Sequence, residues 1–256
     1  MENLDINYKH SVYFREREDG IKYIVLHSTA FTPTKMIKVF NELKLSSHYI
    51  VGRKGEIYET VSPSKVAFHA GVSKWQNSQN LSLNDCSIGI ELEAPTLGQK
   101  RSDFTKKQIA SLIRLLNKLV KDYNIPSYNI LGHSDIAVLR KPDPGALFPW
   151  KRLAEHGLGV WYDLRKTLKI DDEKELLSLI GYDVSNIIAT RVAFCRHFNN
   201  KEIDCCLNVD ELLKMPFAIN FKIKDYCRYM KILRAVAFSF NNIHLLFCCI
   251  VSKILL

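Results

Sequence analysis

The chain has 256 residues, a length that suits one domain of ordinary size and a small second one. Its hydrophobic fraction of 47% and charged fraction of 25% are typical of a soluble globular protein with a buried core. The formal charge of +9 favours an anionic partner, but no helix-turn-helix, zinc-finger or base-stacking motif supports nucleic acid in that role. Seven cysteines, an odd number without a C-x-x-C pair, argue against a disulfide framework.

The first predicted elements are β-rich. The run "IKYIVLHST" over residues 21–29 favours a buried strand that reaches His27 and then gives way to polar residues. Residues 32–44 predict a short helix with a proline in its first turn. Residues 48–61 predict two strands around a Lys-Gly turn.

The next elements alternate in type. Residues 86–94 form an alternating pattern that predicts a strand with Glu91 on its polar face. A capping-box pattern and an apolar stripe predict a helix over residues 105–123, and a strand over residues 127–133 follows it. This uneven order predicts an α+β domain over residues 1–168, with a central mixed β-sheet flanked by helices.

The remaining residues change in character twice. Residues 169–215 have helical spacing interrupted at Gly181, which predicts a small three-helix unit. Residues 216–256 are basic and end in an apolar stretch that is too short and too interrupted for a membrane-spanning helix. We therefore predict a C-terminal tail able to contact a membrane surface.

Three residues of metal-ligand type lie at the ends of β-rich elements. His27 ends one predicted strand, His133 ends another, and Asp143 lies in the loop beyond. Zinc hydrolases use three such nitrogen and oxygen ligands and leave a fourth position for water. Lys141 is two positions before Asp143 in an extended K-P-D segment, which places its charge beside the metal. With Glu91 as a base these parts match metal-assisted hydrolysis, although eight histidines also allow accidental triples.

Five motifs identify a family. They occur in order between about residue 20 and residue 150: "YIVLHSTA", "SSHYIVGRKGEIYETV", "AFHAGVSKWQN", "LNDCSIGIELEAP" and "GHSDIAVLRKPDPGALFPW". Together they resemble the zinc-dependent N-acetylmuramoyl-L-alanine amidases of the type-2 amidase family. That family includes the bacterial amidases AmpD and AmiD, and it shares a fold with phage T7 lysozyme and the peptidoglycan recognition proteins.

The resemblance implies a set of roles. One Zn²⁺ per chain would be bound by His27, His133 and Asp143. Glu91 would act as the catalytic base, and Lys141 would stabilise the tetrahedral intermediate. The implied substrate is bacterial peptidoglycan or its muropeptides, cut at the amide bond between N-acetylmuramic acid and the L-alanine of the stem peptide.

Other residues near these motifs receive separate interpretations. Ser47 occupies the position where more distant T7-lysozyme-like relatives carry a catalytic tyrosine, so the water-activating role has to fall to Glu91. We place His69 and Asn84 in the substrate cleft, with a satisfied loop histidine as the alternative for His69. His48 alternates with a tyrosine on a predicted strand, which favours a packed structural histidine over a ligand.

Two alternatives to a wall-cutting enzyme stay open. Peptidoglycan recognition proteins without activity typically lose a zinc ligand, whereas this chain keeps all three residue types. A cytoplasmic enzyme that recycles anhydro-muropeptides is favoured by the lack of a recognisable signal peptide. Residues 169–215 resemble the three-helix peptidoglycan-binding module appended to AmiD-like enzymes, with a passive helical appendage as the alternative. The hundred or so residues beyond Trp150 therefore favour an enzyme of the cell envelope, because a second weak contact helps an enzyme on an insoluble polymer. The sequence does not indicate an oligomeric state.

Overall fold

The computed structural model describes residues 4–76, 82–199 and 228–241. In this part of the chain the strands are β1 (Ile6–Tyr8), β2 (Phe14–Glu16), β3 (Tyr23–Thr29), β4 (Tyr49–Val51), β5 (Ile57–Glu59), β6 (Lys65–Ala67), β7 (Ser87–Glu93) and β8 (Ile130–Gly132). The helices are α1 (Pro33–Glu42), α2 (Lys106–Asp122), α3 (His133–Ile136), α4 (Trp150–Ala154), α5 (Glu173–Ile180) and α6 (Ile187–Phe198). Residues 228–241 are also helical and are called α7.

Six strands form one mixed sheet in the order β1-β5-β4-β7-β3-β8. The central pairs β4–β7, β7–β3 and β3–β8 are parallel, whereas β4 and β5 form the antiparallel hairpin that the Lys-Gly turn predicts. Strands β2 and β6 pair separately as a small antiparallel ribbon. The α+β fold class with a central mixed sheet is therefore confirmed.

Side chains that alternate along β3 point to opposite faces of the sheet. Ile24 and Leu26 of β3 point to one face, where they join a buried cluster with the apolar side of α2. Val25 points to the opposite face and joins a second cluster with α5, α6 and α7. His27 follows Val25 by two positions, so its side chain lies on the same face as the second cluster.

The predicted helix over residues 105–123 is α2, with two local differences. Thr105 caps it by accepting the Gln108 N–H at 3.1 Å, but the Gln108 side chain does not complete the capping box. Its amide instead donates to the carbonyls of Val51 and Glu93, because these lie at the ends of strands beside the helix. Tyr123, the last residue of the predicted apolar stripe, follows the last helical residue and is 37% exposed, so the buried stripe is shorter than predicted.

The C-terminal helices pack directly on the central sheet. Leu177 of α5, Phe194 of α6 and Val236 of α7 share one buried cluster with Val25 and Leu131 of the sheet. Packing is therefore continuous across the boundary predicted at 168/169. The third helix predicted within residues 169–215 lies outside the described residues.

Helix α7 is the described part of the predicted tail, and its apolar side chains are covered by protein. Tyr229, Leu233 and Val236 are buried against the neighbouring helices. The rest of residues 216–256 lies outside the described residues, and so does the membrane contact predicted for them. None of the helices in the described ranges is both long and apolar enough to cross a membrane.

Candidate active site

Parallel strands bring the predicted site residues to one edge of the sheet, the edge formed by the carboxyl ends of β3, β7 and β8. His27 on β3 is the register partner of Glu91 on β7, so the two side chains lie next to each other on the same face. Strand β8 also runs parallel to β3, and His133 follows its last residue directly as the first residue of α3. Asp143 lies in the loop after α3. Its main-chain carbonyl accepts the Ser134 N–H at 2.8 Å, which joins this loop to the start of the helix.

Three side-chain atoms converge at this edge. His27 Nδ1 lies 2.9 Å from His133 Nδ1, and Asp143 Oδ2 lies 3.3 Å and 3.0 Å from these two nitrogens. Ligands at about 2.0 to 2.2 Å from a tetrahedral zinc ion are separated by roughly 3.3 to 3.6 Å. The observed separations are close to this spacing, and the three residues could therefore hold a divalent cation.

Burial and neighbouring charges put His27 and Asp143 in the protonation states that a metal needs. Burial, and next the neighbouring imidazole of His133, lower the pKa of His27 to about 4. Burial alone would raise the pKa of Asp143, but the His133 and His27 imidazoles beside it lower that pKa well below its usual range. At neutral pH the site therefore offers a neutral His27 and an ionised carboxylate.

The second ring nitrogen of His133, which points away from His27 and Asp143, is also engaged. His133 Nε2 donates to the main-chain oxygen of Ala70 at 3.0 Å, which leaves its Nδ1 lone pair facing His27 and Asp143. Arg140 donates to the same oxygen at 2.7 Å and holds the loop that carries Ala70. Sequence reasoning missed Arg140, because its acceptor is a main-chain group 70 positions away.

Glu91 is the buried carboxyl group of the site. It is 7% exposed, and no described residue donates a hydrogen bond to its Oε2 atom. Burial, and next the charge of Asp143, raise its pKa well above the usual range, whereas the charge of Lys141 lowers it. Lys141 itself is half-buried and close enough for its charge to act on both Glu91 and His27.

The other predicted residues have well-defined neighbours. His69 Nδ1 lies 3.0 Å from His27 Nε2, and burial lowers its pKa well below the usual range. Asn84 Oδ1 accepts the main-chain N–H groups of His69 and Ala70 at 3.0 and 2.7 Å. His48 is fully buried, and its Nδ1 accepts the Gly89 N–H at 2.9 Å. The substrate-cleft role of His69 and Asn84 stays a prediction, as do the ligand and catalytic roles above.

A second buried network supports α3 from the C-terminal helices. Asp135 is fully buried and accepts hydrogen bonds from the Gly132 N–H at 2.7 Å, the Tyr182 hydroxyl at 2.7 Å and His197 Nδ1 at 2.8 Å. The His197 ring also stacks on Trp150, with 3.8 Å between centroids. The spacing of Gly132 and Asp135 suits a helix cap, but the distant partners leave no local signal in the sequence.

The fold and the site together define a class of protein. A mixed sheet covered by a long helix on one face, with a His-His-Asp cluster beside a buried glutamate on the other, is the arrangement of a hydrolase with the T7-lysozyme-like amidase fold. A family model described as N-acetylmuramoyl-L-alanine amidase matches residues 17–146. The chain belongs to this N-acetylmuramoyl-L-alanine amidase family and has the corresponding amidase activity. The resemblance in the five motifs is thereby confirmed.

Relatives extend the similarity beyond this segment. AmiD of Escherichia coli (strain K12) is 35% identical over 208 residues, which cover 70% of this chain and 75% of AmiD. The 1,6-anhydro-N-acetylmuramyl-L-alanine amidase AmpD of Enterobacter cloacae is 42% identical over 110 residues, which cover 43% of this chain and 56% of AmpD. The solved complex of E. coli AmiD with anhydro-N-acetylmuramic acid-L-Ala-D-gamma-Glu-L-Lys has a TM-score of 0.64 at 29% identity, covering 88% of this chain and 97% of that chain.

Proposed function

We propose that the chain is a zinc-dependent amidase that cuts the bond between the lactyl group of N-acetylmuramic acid and the L-alanine of the stem peptide. One observation carries the zinc dependence: His27 Nδ1, His133 Nδ1 and Asp143 Oδ2 lie 2.9 to 3.3 Å apart. Two nitrogens and a carboxylate oxygen are a common zinc ligand set that leaves one position open. Glu91 supplies a buried base beside it, with an Oε2 atom that has no hydrogen-bond partner among the described residues.

The residues of the chain divide the work of hydrolysis. Zinc, when bound by the three ligands, supplies a Lewis acid that polarises the scissile carbonyl and lowers the pKa of water. Glu91 takes a proton from the attacking water and passes it to the leaving amine of L-alanine. Lys141 places a positive charge where the tetrahedral oxyanion develops. The buried setting strengthens both effects, because charges interact more strongly in a low dielectric than in water.

The substrate class follows from the family and the structural neighbour. E. coli AmiD binds an anhydro-muropeptide in its solved complex, and we propose that the same class of muropeptide fits this chain. We also propose that the enzyme acts on intact wall polymer in the cell envelope. Continuous packing of α5, α6 and α7 on the central sheet means that cutting the chain after residue 168 would expose core residues, so the full chain is the right material for any test.

Mass spectrometry of products tests the proposed reaction. The full chain with one equivalent of zinc is expected to release a stem peptide that begins with L-alanine, from an anhydro-muropeptide and from intact sacculi assayed side by side. Removal of the metal with a chelator should abolish release, and added zinc should restore it. Undiminished release from metal-free protein would contradict zinc dependence, and release from the soluble muropeptide alone would contradict the proposed action on the wall.

The pH dependence of Lys141→Met tests the electrostatic coupling to Glu91. A general base works when deprotonated, so the acidic limb of kcat/KM against pH follows the pKa of Glu91. The charge of Lys141 lowers that pKa, and its removal should therefore move the acidic limb to higher pH. The matched control is Lys151→Met, since Lys151 is exposed on α4. An acidic limb that stays in place in Lys141→Met would disprove the coupling.

A further inference from the structure

The ring of His69 is linked to His27 by one short contact, and this contact suggests a role outside the substrate cleft. We infer that His69 is a positioning residue: its Nδ1 accepts the Nε2–H of His27 and so fixes the tautomer in which His27 Nδ1 presents a lone pair to His133 and Asp143. Partners on the far nitrogen commonly set the orientation of a metal-binding imidazole in this way. The inference rests on the proposed zinc site.

A chain of hydrogen bonds runs from the Leu83 carbonyl through Ser87 and His69 to His27. The direction of each bond can be derived from the Leu83 end. The main-chain oxygen of Leu83 can only accept, so Ser87 Oγ, at 2.6 Å, donates its single proton to it. The hydroxyl oxygen of Ser87 is then an acceptor for His69 Nε2–H at 3.3 Å. A neutral His69 that donates from Nε2 has its lone pair on Nδ1, which must accept from His27 Nε2–H at 3.0 Å. His27 therefore carries no proton on Nδ1.

The surroundings hold the His69 ring in this orientation. Gly89 lies beneath it on β7, and a Cβ atom at that position would come within 2.4 to 2.6 Å of three ring atoms. The open space that Gly89 leaves on its strand is thus filled by the imidazole. Asn84 fixes the main chain of His69 through the N–H groups of residues 69 and 70. The His27 and His69 rings meet edge to face, with 5.1 Å between centroids.

The contacts of its ring distinguish His69, as a positioning residue, from a residue that binds substrate in the cleft. Both ring nitrogens of His69 are engaged inside the protein, one by His27 and the other by Ser87. Neither nitrogen is left to bind a muropeptide. Loss of the ring should therefore act first on the metal site and only through it on the reaction.

Two substitutions at position 69 provide the test. His69→Leu fills similar space without an acceptor, whereas His69→Asn places a side-chain oxygen near the former Nδ1 position and keeps one. Zinc affinity is measured by competition with a chelator, coordination by the visible absorption of the cobalt(II) form, and KM with a soluble anhydro-muropeptide. We expect His69→Leu to bind zinc roughly 10- to 100-fold more weakly with an altered cobalt spectrum, and His69→Asn to recover most of that affinity.

The outcomes distinguish this inference from the proposed function. Unchanged zinc affinity with a raised KM in His69→Leu would make His69 a cleft residue and overturn the inference. Equal loss in the Leu and Asn variants would do the same, since the acceptor would not matter. If His69→Leu fails to fold, Ser87→Ala replaces it, and unchanged zinc affinity there would also count against the inference. A wild-type chain that binds no zinc would instead overturn the proposed metal site itself.

Discussion

Glu91→Gln is expected to lower kcat by roughly two to four orders of magnitude, the usual contribution of a general acid–base group. The amide keeps the size of the carboxyl group but cannot take a proton from water. Because Glu91 lies beside the proposed metal ligands and is not one of the three converging residues, zinc affinity should stay close to that of the wild type. Steady-state kinetics on a soluble muropeptide and a chelator titration measure the two quantities separately.

Glu93→Gln is the matched control for this substitution. Glu93 lies two positions along the same strand, and its Oε2 accepts the Arg53 N–H at 3.1 Å. Its carboxylate is thus engaged by the main chain of Arg53, away from the reaction. The variant should therefore keep a turnover near that of the wild type. Near-wild-type turnover in Glu91→Gln would show that another group activates the water.

His133→Ala should remove zinc and activity together. The substitution deletes one of three converging donor atoms and leaves Asp143 with a single imidazole neighbour. Changes to groups that only support ligands already cost about 10- to 100-fold in affinity or activity, so the loss of a ligand should cost at least about 100-fold in both. Zinc per chain after dialysis, measured by elemental analysis, is expected to fall from one to well below one.

An exposed histidine serves as the control for metal content. His156 follows α4 on the surface, so His156→Ala should retain one zinc per chain and full activity. Circular dichroism of both variants checks that each is folded. Full zinc occupancy in folded His133→Ala would mean that the metal is bound by other residues.

Short-range patterns accounted for the elements that carry the site. The apolar run before His27 predicted β3, and the alternation around Glu91 predicted β7 and the correct face for its side chain. These predictions succeed because the alternation of side chains along a strand depends only on backbone geometry. The apolar stripe predicted α2 because the helical repeat likewise depends only on backbone geometry, and the helix ends at Asp122, one residue before the predicted end.

The motifs also named the three residues whose donor atoms converge, but the sequence could not supply their distances. His27 and His133 are 106 positions apart, and they meet because β3 and β8 pair in parallel with Leu26 opposite Gly132. A one-residue change in that register would turn the side chains of β8 to the other face. Register between distant strands is decided by the packing of the whole sheet, which no local pattern records.

What the sequence by itself determined was the family, the type of each central element and the chemical kinds of residue available to the site. Only the tertiary structure decided which partners orient them: His69 behind His27, Ala70 behind His133, and Asp135 between Tyr182 and His197. It likewise decided that the C-terminal helices share a core with the sheet. The physical reason is the same in each case. Such contacts join residues far apart in the chain, and their energy depends on burial and on hydrogen-bond geometry that exist only after the chain has folded.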